Sequence, residues 1–375
     1  MKKYLIMMVA AVCMTACNHS SVLTQSGLDP AKFRTEVDGK QTDLFILRNA
    51  QGMEVTVTNL GGRIVSVLVP DKDGVMRDVV LGFDSIPDYI HKPTDFGAST
   101  GRYANRIHNG RFTLDGVEYQ LPRNNYGHCL HGGPRGFQYQ VFDSKQTDGQ
   151  TLELTYLSKD NEECFPGNLN CKVIFVLTDD NAIDIRYEAE TDKPTIVNMT
   201  NHSYFNLDGD GFSIAEHLLR VNADAYTPID STFITTGEIA TVEGTPMDFR
   251  QYTPIGSRIN QTEFEQLRFG QGYDHNWVLN TKGDISQVCA SLKSPKTGIV
   301  LDVYTNEPGI QIYTGNFLNG IIHGKKGVPY DHRPSLCMET QKYPDSPNKG
   351  DWPSPVLRPG EKYESHCIYK FSVEK

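Results

Sequence analysis

The chain has 375 residues and a formal net charge of -10, from 36 basic and 46 acidic side chains. An acidic chain without a basic stripe is not expected to bind nucleic acid, because that binding uses Lys and Arg against phosphates. The length allows one large all-β domain or two ordinary domains. The 33 glycines and an aromatic content of 10% favour a β-rich protein with many turns.

The first predicted element is an export signal over residues 1–16. Lys2 and Lys3 precede an apolar run, Tyr4–Val12, which is short for a transmembrane helix. The following Met-Thr-Ala-Cys is similar to a bacterial lipoprotein signal, in which Cys17 becomes the lipidated first residue. An ordinary signal peptide with an incidental cysteine is the alternative. We predict an exported lipoprotein of the cell envelope, facing the periplasm and touching the membrane only through a lipid on Cys17.

A polar segment at residues 17–30 is predicted to be a tether, and residues 31–375 are predicted to form a single domain. We find no internal repeat, low-complexity tract or linker after residue 30. The cysteines beyond the signal contain no C-x-x-C pair, so a structural zinc site is not expected. Their disulfide connectivity stays open. They are Cys129, Cys164, Cys171, Cys289, Cys337 and Cys367.

Strand patterns dominate the chain from Thr42 onward, with turn residues between alternating apolar runs. An Asp115-Gly116 pair predicts a hairpin over Arg111–Leu121. Helical periodicity is scarce and is confined to Thr262–Arg268. Many strands without alternating helices predict a large antiparallel sandwich or barrel. The other predicted strands are Phe45–Leu47, Glu54–Thr58, Arg63–Val69, Thr151–Leu157, Lys172–Leu177, Ala182–Ala189, His217–Ala223, Gln287–Lys293, Gly298–Tyr304 and Cys367–Val373.

Polar residues are concentrated in one otherwise apolar segment, Asn198–Leu207, which has the sequence N-M-T-N-H-S-Y-F-N-L. Buried polar groups are costly unless each finds a partner, so this segment forms either a satisfied network or the wall of a wet pocket. His202 and Tyr204 are two residues apart and would share one face of a strand. Because His exchanges a proton near neutral pH, the segment predicts a proton-transfer site for a hydroxyl-rich molecule.

Two further stretches carry polar side chains suited to such a molecule. In G-R-Y-A-N-R-I, Asn105 and Arg106 offer donors for vicinal hydroxyls, although an Arg paired to a nearby acid is the alternative. In H-C-L-H-G-G, the two glycines after His131 are expected to turn the backbone and leave room for a ligand. The pair of His128 and His131 could bind metal, but no third ligand accompanies it, so no metal site is predicted.

The last two stretches contain carboxylates. In G-Y-D-H-N-W, Asp274 can accept from hydroxyls and Trp277 offers a flat apolar face, with ordinary turn chemistry as the alternative. In S-L-C-M-E-T-Q-K-Y-P-D, Glu339 has apolar neighbours, and burial would raise its pKa. A raised pKa would suit a general base, whereas a solvated strand end is the alternative.

Together and in this order, the stretches resemble the aldose 1-epimerase (galactose mutarotase) family. The matching pattern is N-R, L-H-G-G, N-x-T-N-H-S-Y-F-N-L, Y-D-H and E-T-Q-x-Y-P-D. Gln311, within Y-T-N-E-P-G-I-Q-I-Y-T-G-N-F, and the tail V-L-R-P-G fit the same pattern. The resemblance runs from residue 33 to the end. Met338 replaces a common Leu, and the export signal is a second departure, because many members are cytoplasmic.

The resemblance implies a single all-β domain, a large antiparallel β-supersandwich with few short helices, that interconverts the α and β anomers of aldohexoses such as galactose and glucose. Glu339 would take the proton from the C1 hydroxyl, His202 would protonate the ring oxygen, and His131 would support that oxygen. His202 would then need an elevated pKa, which adjacent carboxylates would supply. The residues expected to hold the other hydroxyls are Asn105, Arg106, Tyr204, Asp274 and Gln311.

No cofactor is required for this chemistry, and calcium binding stays open. The expected partner is a small aldohexose, bound by a monomer. Two alternatives remain. A glycosidase would use Glu339 with Asp274 but leave His202 without a role. A sugar-binding lipoprotein would keep the cleft without the chemistry. A hexose phosphate as substrate would call for a basic cluster, and we identify none.

Overall fold

The computed structural model describes residues 23–374. The predicted signal peptide and Cys17 lie outside the described residues. Of the predicted tether, residues 23–30 are described, and here Thr24, Ser26 and Leu28 are buried. The Ser26 hydroxyl lies 3.0 Å from the Ser66 hydroxyl. Among the described residues, packing is therefore already present at Thr24, within the segment predicted to be a tether.

Strands, most of them short, are the main regular elements of the described chain. The first eleven are β1 (Glu36–Val37), β2 (Lys40–Gln41), β3 (Leu44–Arg48), β4 (Glu54–Thr58), β5 (Arg63–Pro70), β6 (Met76–Asp78), β7 (Ala98–Thr100), β8 (Arg106–Ile107), β9 (Arg111–Leu114), β10 (Val117–Gln120) and β11 (Cys129–Leu130). The next nine are β12 (Asp143–Gln146), β13 (Thr151–Ser158), β14 (Leu169–Leu177), β15 (Ala182–Thr191), β16 (Thr195–Ile196), β17 (Thr200–His202), β18 (Tyr204–Phe205), β19 (Leu218–Val221) and β20 (Ala225–Thr227). The last nine are β21 (Ala240–Thr241), β22 (Thr253–Pro254), β23 (Asp274–Val278), β24 (Ala290–Lys293), β25 (Ile299–Thr305), β26 (Gly309–Tyr313), β27 (Leu336–Gln341), β28 (Val356–Leu357) and β29 (Tyr363–Val373).

Two short α-helices interrupt the strands, α1 (Ile86–His91) and α2 (Glu265–Gly270). The second overlaps the helical turn predicted at Thr262–Arg268. Within residues 23–374, no helix is long and apolar enough to cross a membrane. Single 3-10 turns occur at Pro30–Phe33, His108–Gly110, Phe137–Tyr139, Glu162–Cys164, Ile255–Ser257, Lys325–Gly327 and Ser346–Asn348.

Three larger sheets organise the fold. The nine-stranded sheet has the order β12-β13-β14-β15-β29-β25-β24-β19-β22. The six-stranded sheet has the order β18-β27-β26-β23-β20-β21, and the four-stranded sheet runs from β3 to β6 in sequence. Neighbouring strands in all three sheets pair antiparallel. The predicted all-β antiparallel architecture is confirmed.

One large hydrophobic cluster lies between the three sheets and joins their inner faces. It includes side chains from the four-stranded, nine-stranded and six-stranded sheets, such as Val57, Val67, Val173, Ile185, Ile310, Ile312 and Met338. Burying this continuous apolar surface is the main term that favours the folded state.

Alternation along β26 and β27 decides which side chains the six-stranded sheet leaves for function. Leu336 and Met338 pack into the large cluster. The intervening Cys337 and Glu339 therefore point to the opposite face, because successive side chains of a strand alternate. That face carries the cavity described below.

Candidate active site

A cavity of about 270 Å³ opens on this face of the six-stranded sheet. Strands β8, β11, β17, β18, β23, β26 and β27 contribute to it, together with the loops that precede β7, β8 and β11 and those that follow β11 and β26. Its volume suits one small ligand. The lining residues are Asp95, Asn105, Arg106, Asn125, Tyr126, Leu130, His131, His202, Tyr204, Asp274, Tyr313, Phe317 and Glu339.

A larger hollow, of about 450 Å³, lies on the outer side of the nine-stranded sheet. Its lining includes Tyr156, Lys172, Glu188 and Lys362, and none of the predicted catalytic or sugar-binding residues. The buried acid-base side chains whose pKa values burial shifts, His131, His202, Asp274 and Glu339, line the smaller cavity, so the chemistry is assigned there.

The central feature of the cavity is a histidine facing a carboxyl group. His202 Nε2, on β17, lies 3.4 Å from Glu339 Oε1, on β27. The two residues are only 4% and 1% exposed. Among the described residues, neither His202 Nδ1 nor Glu339 Oε2 has a hydrogen-bond partner. Buried polar atoms normally have partners, so these two are placed for a ligand.

Burial shifts the proton affinities of this pair in opposite directions. Desolvation raises the pKa of Glu339 well above its ordinary value, with the charges of Asp274 and Asp95 adding to it. Desolvation lowers the pKa of His202, and the same two carboxylates only oppose that effect. The expectation of an elevated pKa for His202 is wrong for this structure, because burial outweighs the carboxylates. The pair is therefore suited to holding a single proton, which the Glu339 carboxyl group and the His202 imidazole share.

His131 lies beside this pair, with its ring centroid 5.1 Å from that of His202. The amide of Asn105 donates to His131 Nδ1 at 3.1 Å, so Nε2 carries the proton of the neutral ring. Burial lowers the pKa of His131 to about 3, which keeps the ring neutral at physiological pH. His131 is thus a neutral Nε2–H donor.

Asn105 and His131 form a strained pair of loop residues. Besides the bond to the ring, the His131 amide donates to the Asn105 carbonyl at 3.1 Å. The backbones of Asn105 and His131 have φ of +61° and +50°, a region that L-residues seldom adopt. Such strain persists where surrounding contacts impose it, and it concentrates at functional sites.

The opposite side of the cavity contains an arginine and a carboxylate. Arg106 Nη1 lies 4.0 Å from Asp274 Oδ2, and Arg106 Nε donates to Asn125 Oδ1 at 3.1 Å. Gln311 Nε2 donates to Asp274 Oδ1 at 2.7 Å. Gln311 thus holds Asp274, and its Oε1 has no hydrogen-bond partner among the described residues, so the predicted contact of Gln311 with a sugar hydroxyl stays a prediction.

Tyr204 completes the histidine side of the cavity. Its ring stacks on His202 with a centroid distance of 5.0 Å, which agrees with the shared face predicted from their spacing. The edge of Phe96 packs against Tyr204 at 4.7 Å. Burial raises the pKa of Tyr204 well above its ordinary value, so its hydroxyl stays protonated and can donate.

The asparagines of the segment Asn198–Leu207 explain its crowded polarity. The segment is not one strand but contains β17 and β18, which pair with β7 and β27. Asn201 Nδ2 donates to the Gly97 carbonyl at 3.0 Å, and Asn206 Nδ2 donates to the Pro334 carbonyl at 2.8 Å. The asparagines therefore satisfy neighbouring backbone, while the His and Tyr line the pocket.

Trp277 and His128 lie outside the cavity. Trp277 is fully buried, and its Nε1 donates to the Met247 carbonyl at 3.1 Å, so the prediction that it offers a face to a ligand is wrong. His128 Nε2 lies 2.8 Å from Thr232 Oγ1, and its Nδ1 accepts from the Asn109 amide. His128 is a structural residue.

Gly132 and Gly133 permit close packing and do not create room for a ligand. A Cβ at Gly132 would lie 2.0 Å from the Gly101 carbonyl oxygen, and one at Gly133 would lie 2.4 Å from Glu163 Oε2. Both glycines have positive φ, at +78° and +99°. The predicted sharp turn is present, but the space beside it is filled by protein.

Several lining residues were not predicted from the sequence. Asp95, in K-P-T-D-F-G, has the appearance of an ordinary turn residue. Tyr126 and Phe317 are exposed aromatic residues at 55% and 43%, without any strand pattern to assign them to a face. Tyr313 could have been found, because it is two residues from Gln311 on β26 and must share its face.

Three of the lining residues could hold a metal ion. One ligand atom from each of His131, His202 and Glu339 lies within 4.8 Å of the others. However, the lone pair of His131 Nδ1 is used by the Asn105 amide, so its Nε2 would have to lose a proton before binding a cation. The donor set therefore favours proton transfer over metal binding.

Comparison with known proteins decides the family. A model of the family described as "Aldose 1-epimerase" matches residues 43–370, which include every cavity residue named above. The chain belongs to the aldose 1-epimerase family. It is 41% identical to galactose mutarotase of Rattus norvegicus over 336 residues, covering 89% of this chain and 95% of that protein. It is 42% identical to aldose 1-epimerase of Escherichia coli K12 over 342 residues, covering 90% and 97%.

Solved structures of aldose 1-epimerase relatives share the fold. The GalM/aldose epimerase homologue from C. elegans has a TM-score of 0.83 and 32% identity, covering 89% of this chain and 100% of that chain. The galactose 1-epimerase from Lactobacillus acidophilus NCFM has a TM-score of 0.80 and 30% identity, covering 91% and 98%. The predicted family, β-supersandwich fold and isomerase class are confirmed.

Proposed function

We propose that this chain interconverts the α and β anomers of aldohexoses, with Glu339 and His202 as its two proton-transfer groups. The observation that carries this proposal is the 3.4 Å approach of His202 Nε2 to Glu339 Oε1 inside a cavity that has room for one small ligand. Ring opening of an aldose needs a base at the C1 hydroxyl and an acid at the ring oxygen. Here both groups face the same enclosed volume.

The reaction uses the single proton that the pair holds. With Glu339 as carboxylate and His202 as imidazolium, Glu339 removes the proton of the C1 hydroxyl while His202 protonates the ring oxygen. The bond between C1 and the ring oxygen breaks, and C1 becomes an aldehyde. Rotation about C1–C2 presents the other face of the carbonyl, and closure returns both protons. No proton is gained or lost overall, and only protein groups act.

The remaining polar groups hold the sugar during this rotation. His131 contributes a neutral Nε2–H beside the ring oxygen, and Tyr204 contributes a phenol. Asn105, Arg106 and Asp274 take the other hydroxyls, with Gln311 holding Asp274. Each such hydrogen bond contributes about 0.5–1.5 kcal/mol, and more where a charge takes part. Orientation of a bound reactant is itself a large part of catalysis.

We further propose galactose as the first substrate to test, because curated relatives carry the name galactose mutarotase. The proposed enzyme is a monomer. The chemistry calls for no cofactor, and calcium has no step in it. The sequence Met-Thr-Ala-Cys supports anchoring through Cys17 at the cell envelope.

The two alternative functions are not favoured. A glycosidase would need Asp274 as a second catalytic carboxylate, but Gln311 and Arg106 engage that group as a binding residue. It would also leave His202 idle. A sugar-binding protein that had lost the chemistry would not need His202 and Glu339 to face each other in the cavity.

Glu339→Gln tests the assignment, because Gln keeps the shape of the side chain and removes the base. We expect mutarotation to fall by about 10²–10⁴-fold, the usual worth of one positioned proton-transfer group. Polarimetry on pure galactose anomers measures the rate, and calorimetric titration should show retained sugar binding. Glu190→Gln, an exposed change outside the cavity, is the matched control. Unchanged mutarotation in Glu339→Gln, or release of sugar from a chromogenic galactoside by the wild type, would contradict the proposal.

A further inference from the structure

The mechanism above makes no use of one carboxylate that lines the cavity. Asp95 is half-buried and precedes Phe96 in the loop that leads into β7. Within residues 23–374, we find no hydrogen bond or close ion pair made by its carboxylate oxygens. Aspartates in loops usually bond a nearby amide. An acceptor that faces a ligand cavity without a protein partner is an open binding position.

The backbone around Asp95 is held in place by a buried guanidinium. Arg63 Nη1 donates to the Thr94 carbonyl at 2.9 Å and to the Phe96 carbonyl at 3.0 Å. Arg63 Nη2 donates to the Gln138 carbonyl at 2.7 Å. The two carbonyls on either side of Asp95 are thus fixed by one fully buried side chain. Such preorganisation is what a binding residue on a loop requires.

A structural role for Asp95, as the counter-charge of Arg63, does not account for its position. The Nη atoms of Arg63 are satisfied by carbonyls, and no close ion pair joins the two side chains. The charge of Asp95 does raise the pKa of Arg63, but burial of the guanidinium outweighs it. The Asp95 carboxylate therefore lies near Arg63 without a close ion pair to it, and it remains available to a ligand in the cavity.

Asp95 lies near the two histidines of the cavity, because its charge acts on the pKa of both His131 and His202. The charge of Asp95 raises the pKa of His202 more than the charge of Asp274 does. Asp274 instead has Arg106 as its neighbour. The cavity thus presents three carboxyl groups, with that of Glu339, against one guanidinium. A ligand held between these groups meets a carboxyl group on both sides.

We propose that Asp95 is a substrate-binding residue that accepts a hydrogen bond from an aldose hydroxyl and makes the cavity reject aldoses that carry an anionic group. The inference rests on the proposed function and adds the class of substrate, which is the uncharged aldose. Like charges repel strongly where water is largely excluded, so a carboxylate or phosphate on the sugar is disfavoured. A hydroxyl, in contrast, satisfies the free acceptor.

The test compares galactose with galacturonate in wild-type protein and in Asp95→Asn. We expect kcat/KM for galactose to fall about tenfold in this variant, mainly through KM, as one charge-assisted hydrogen bond weakens. The preference for galactose over galacturonate should also shrink about tenfold. Asp95→Glu keeps the negative charge but displaces it. This variant should bind galactose more weakly and should still reject galacturonate. Asp351→Asn removes one exposed carboxylate outside the cavity. It should change neither kcat/KM for galactose nor the preference for galactose over galacturonate.

Calorimetric titration of both sugars separates this inference from the proposed function. If the wild type binds galactose but does not accelerate mutarotation, the proposed reaction fails, and the binding preference still tests Asp95. An unchanged KM, an unchanged affinity and an unchanged preference in Asp95→Asn would overturn the inference. The same result accompanied by a lowered melting temperature would also overturn it, because Asp95 would then serve Arg63.

Discussion

Burial of Glu339 and His202 changes what each residue can do with a proton. Burial disfavours both charged forms, so the pKa of the carboxyl is raised and that of the imidazole is lowered. A state with one shared proton avoids a net charge on the pair. That same state contains the carboxylate and imidazolium needed for ring opening, after a proton moves across the 3.4 Å gap.

This shared proton predicts a bell-shaped pH dependence of kcat/KM with a broad plateau through neutral pH. On the acid side, a second proton must enter a pair whose imidazole has a lowered pKa, so the loss begins below the ordinary titration range of His. On the alkaline side, the last proton must leave a pair whose carboxyl has a raised pKa, so the loss begins well above the ordinary range of Glu. Both limits belong to the pair as a whole.

Steady-state mutarotation from acid to alkaline pH measures these limits. Glu190→Gln should keep both limbs, since it lies outside the cavity. His131 should contribute no limb near neutrality, because burial lowers its pKa to about 3. A single limb centred in the ordinary range of a carboxyl group would contradict a shared proton.

Gln311 and Asp274 should differ in how they affect binding. Asp274→Ala is expected to cost about 1–3 kcal/mol of sugar affinity, because a ligand hydroxyl loses its partner, and Arg106→Ala should cost a similar amount. Gln311→Ala should cost less, since Gln311 acts by holding Asp274. In the Asp274→Ala background, Gln311→Ala should then have no further effect on affinity.

Calorimetric titration with galactose measures each of these affinities. Gln287→Ala, an exposed change, is the control for loss of an amide. An additive cost of the two cavity changes would show that Gln311 contacts sugar independently of Asp274, as the sequence alone suggested.

At the scale of elements, the turn after β11 illustrates why a glycine pair follows His131. Gly132 has a φ of +78°, and a Cβ there would lie 2.0 Å from the Gly101 carbonyl. That contact brings the loop carrying Asn105 against the loop carrying His131. The turn therefore sets the distance at which the Asn105 amide reaches the imidazole of His131.

Gly132→Ala should destabilise the protein by more than a positive φ alone requires. Gly127→Ala is the matched control, because Gly127 has a φ of +85° and open space where a Cβ would lie. The control should lose about 1–2 kcal/mol from backbone strain, and Gly132→Ala should lose more because backbone atoms collide. Denaturant unfolding measures both. Equal losses would show that the close approach can relax without cost.

The strands predicted from the sequence differ in how well they agree with the strands of the structure. Glu54–Thr58 forms β4 with the predicted bounds, and Asp115-Gly116 turns the hairpin of β9 and β10. The alternation of side chains before Glu339 was also predicted from the sequence, and Leu336 and Met338 do face the core. Asp274, however, begins a strand where the sequence suggested turn chemistry. The nearby Gly272 is typical of a turn and so gave no indication of β23, which forms through pairing in the six-stranded sheet.

For the whole molecule, the predicted lipid on Cys17 bears on cellular location. Lipidation at Cys17 predicts that the wild type sediments with envelope membranes and that Cys17→Ser moves to the soluble fraction. Cys164→Ser, at an exposed cysteine of the folded domain, is the control and should stay with the membranes. Fractionation with mass spectrometry of the N-terminal peptide checks this. Wild-type protein that is soluble and carries no acyl group would contradict the lipoprotein prediction.

The amino-acid order by itself determined the all-β class and the family, and it predicted the two proton-transfer residues. Period-two alternation and turn dipeptides are local, and the family stretches are contiguous, so neither kind of signal needs the fold to be known. The two residues also follow from chemistry, because a His and a Glu with buried neighbours suit acid-base work.

Only the tertiary structure decided which polar residues share the cavity and what their charges are. Trp277 faces the core, Gln311 donates to Asp274, and Asp95 reaches the cavity from a loop with no pattern of its own. The lowered pKa of His202 likewise depends on burial, which many distant segments create together. These properties arise from packing between residues far apart in the chain, and a sequence pattern records only the neighbours along it.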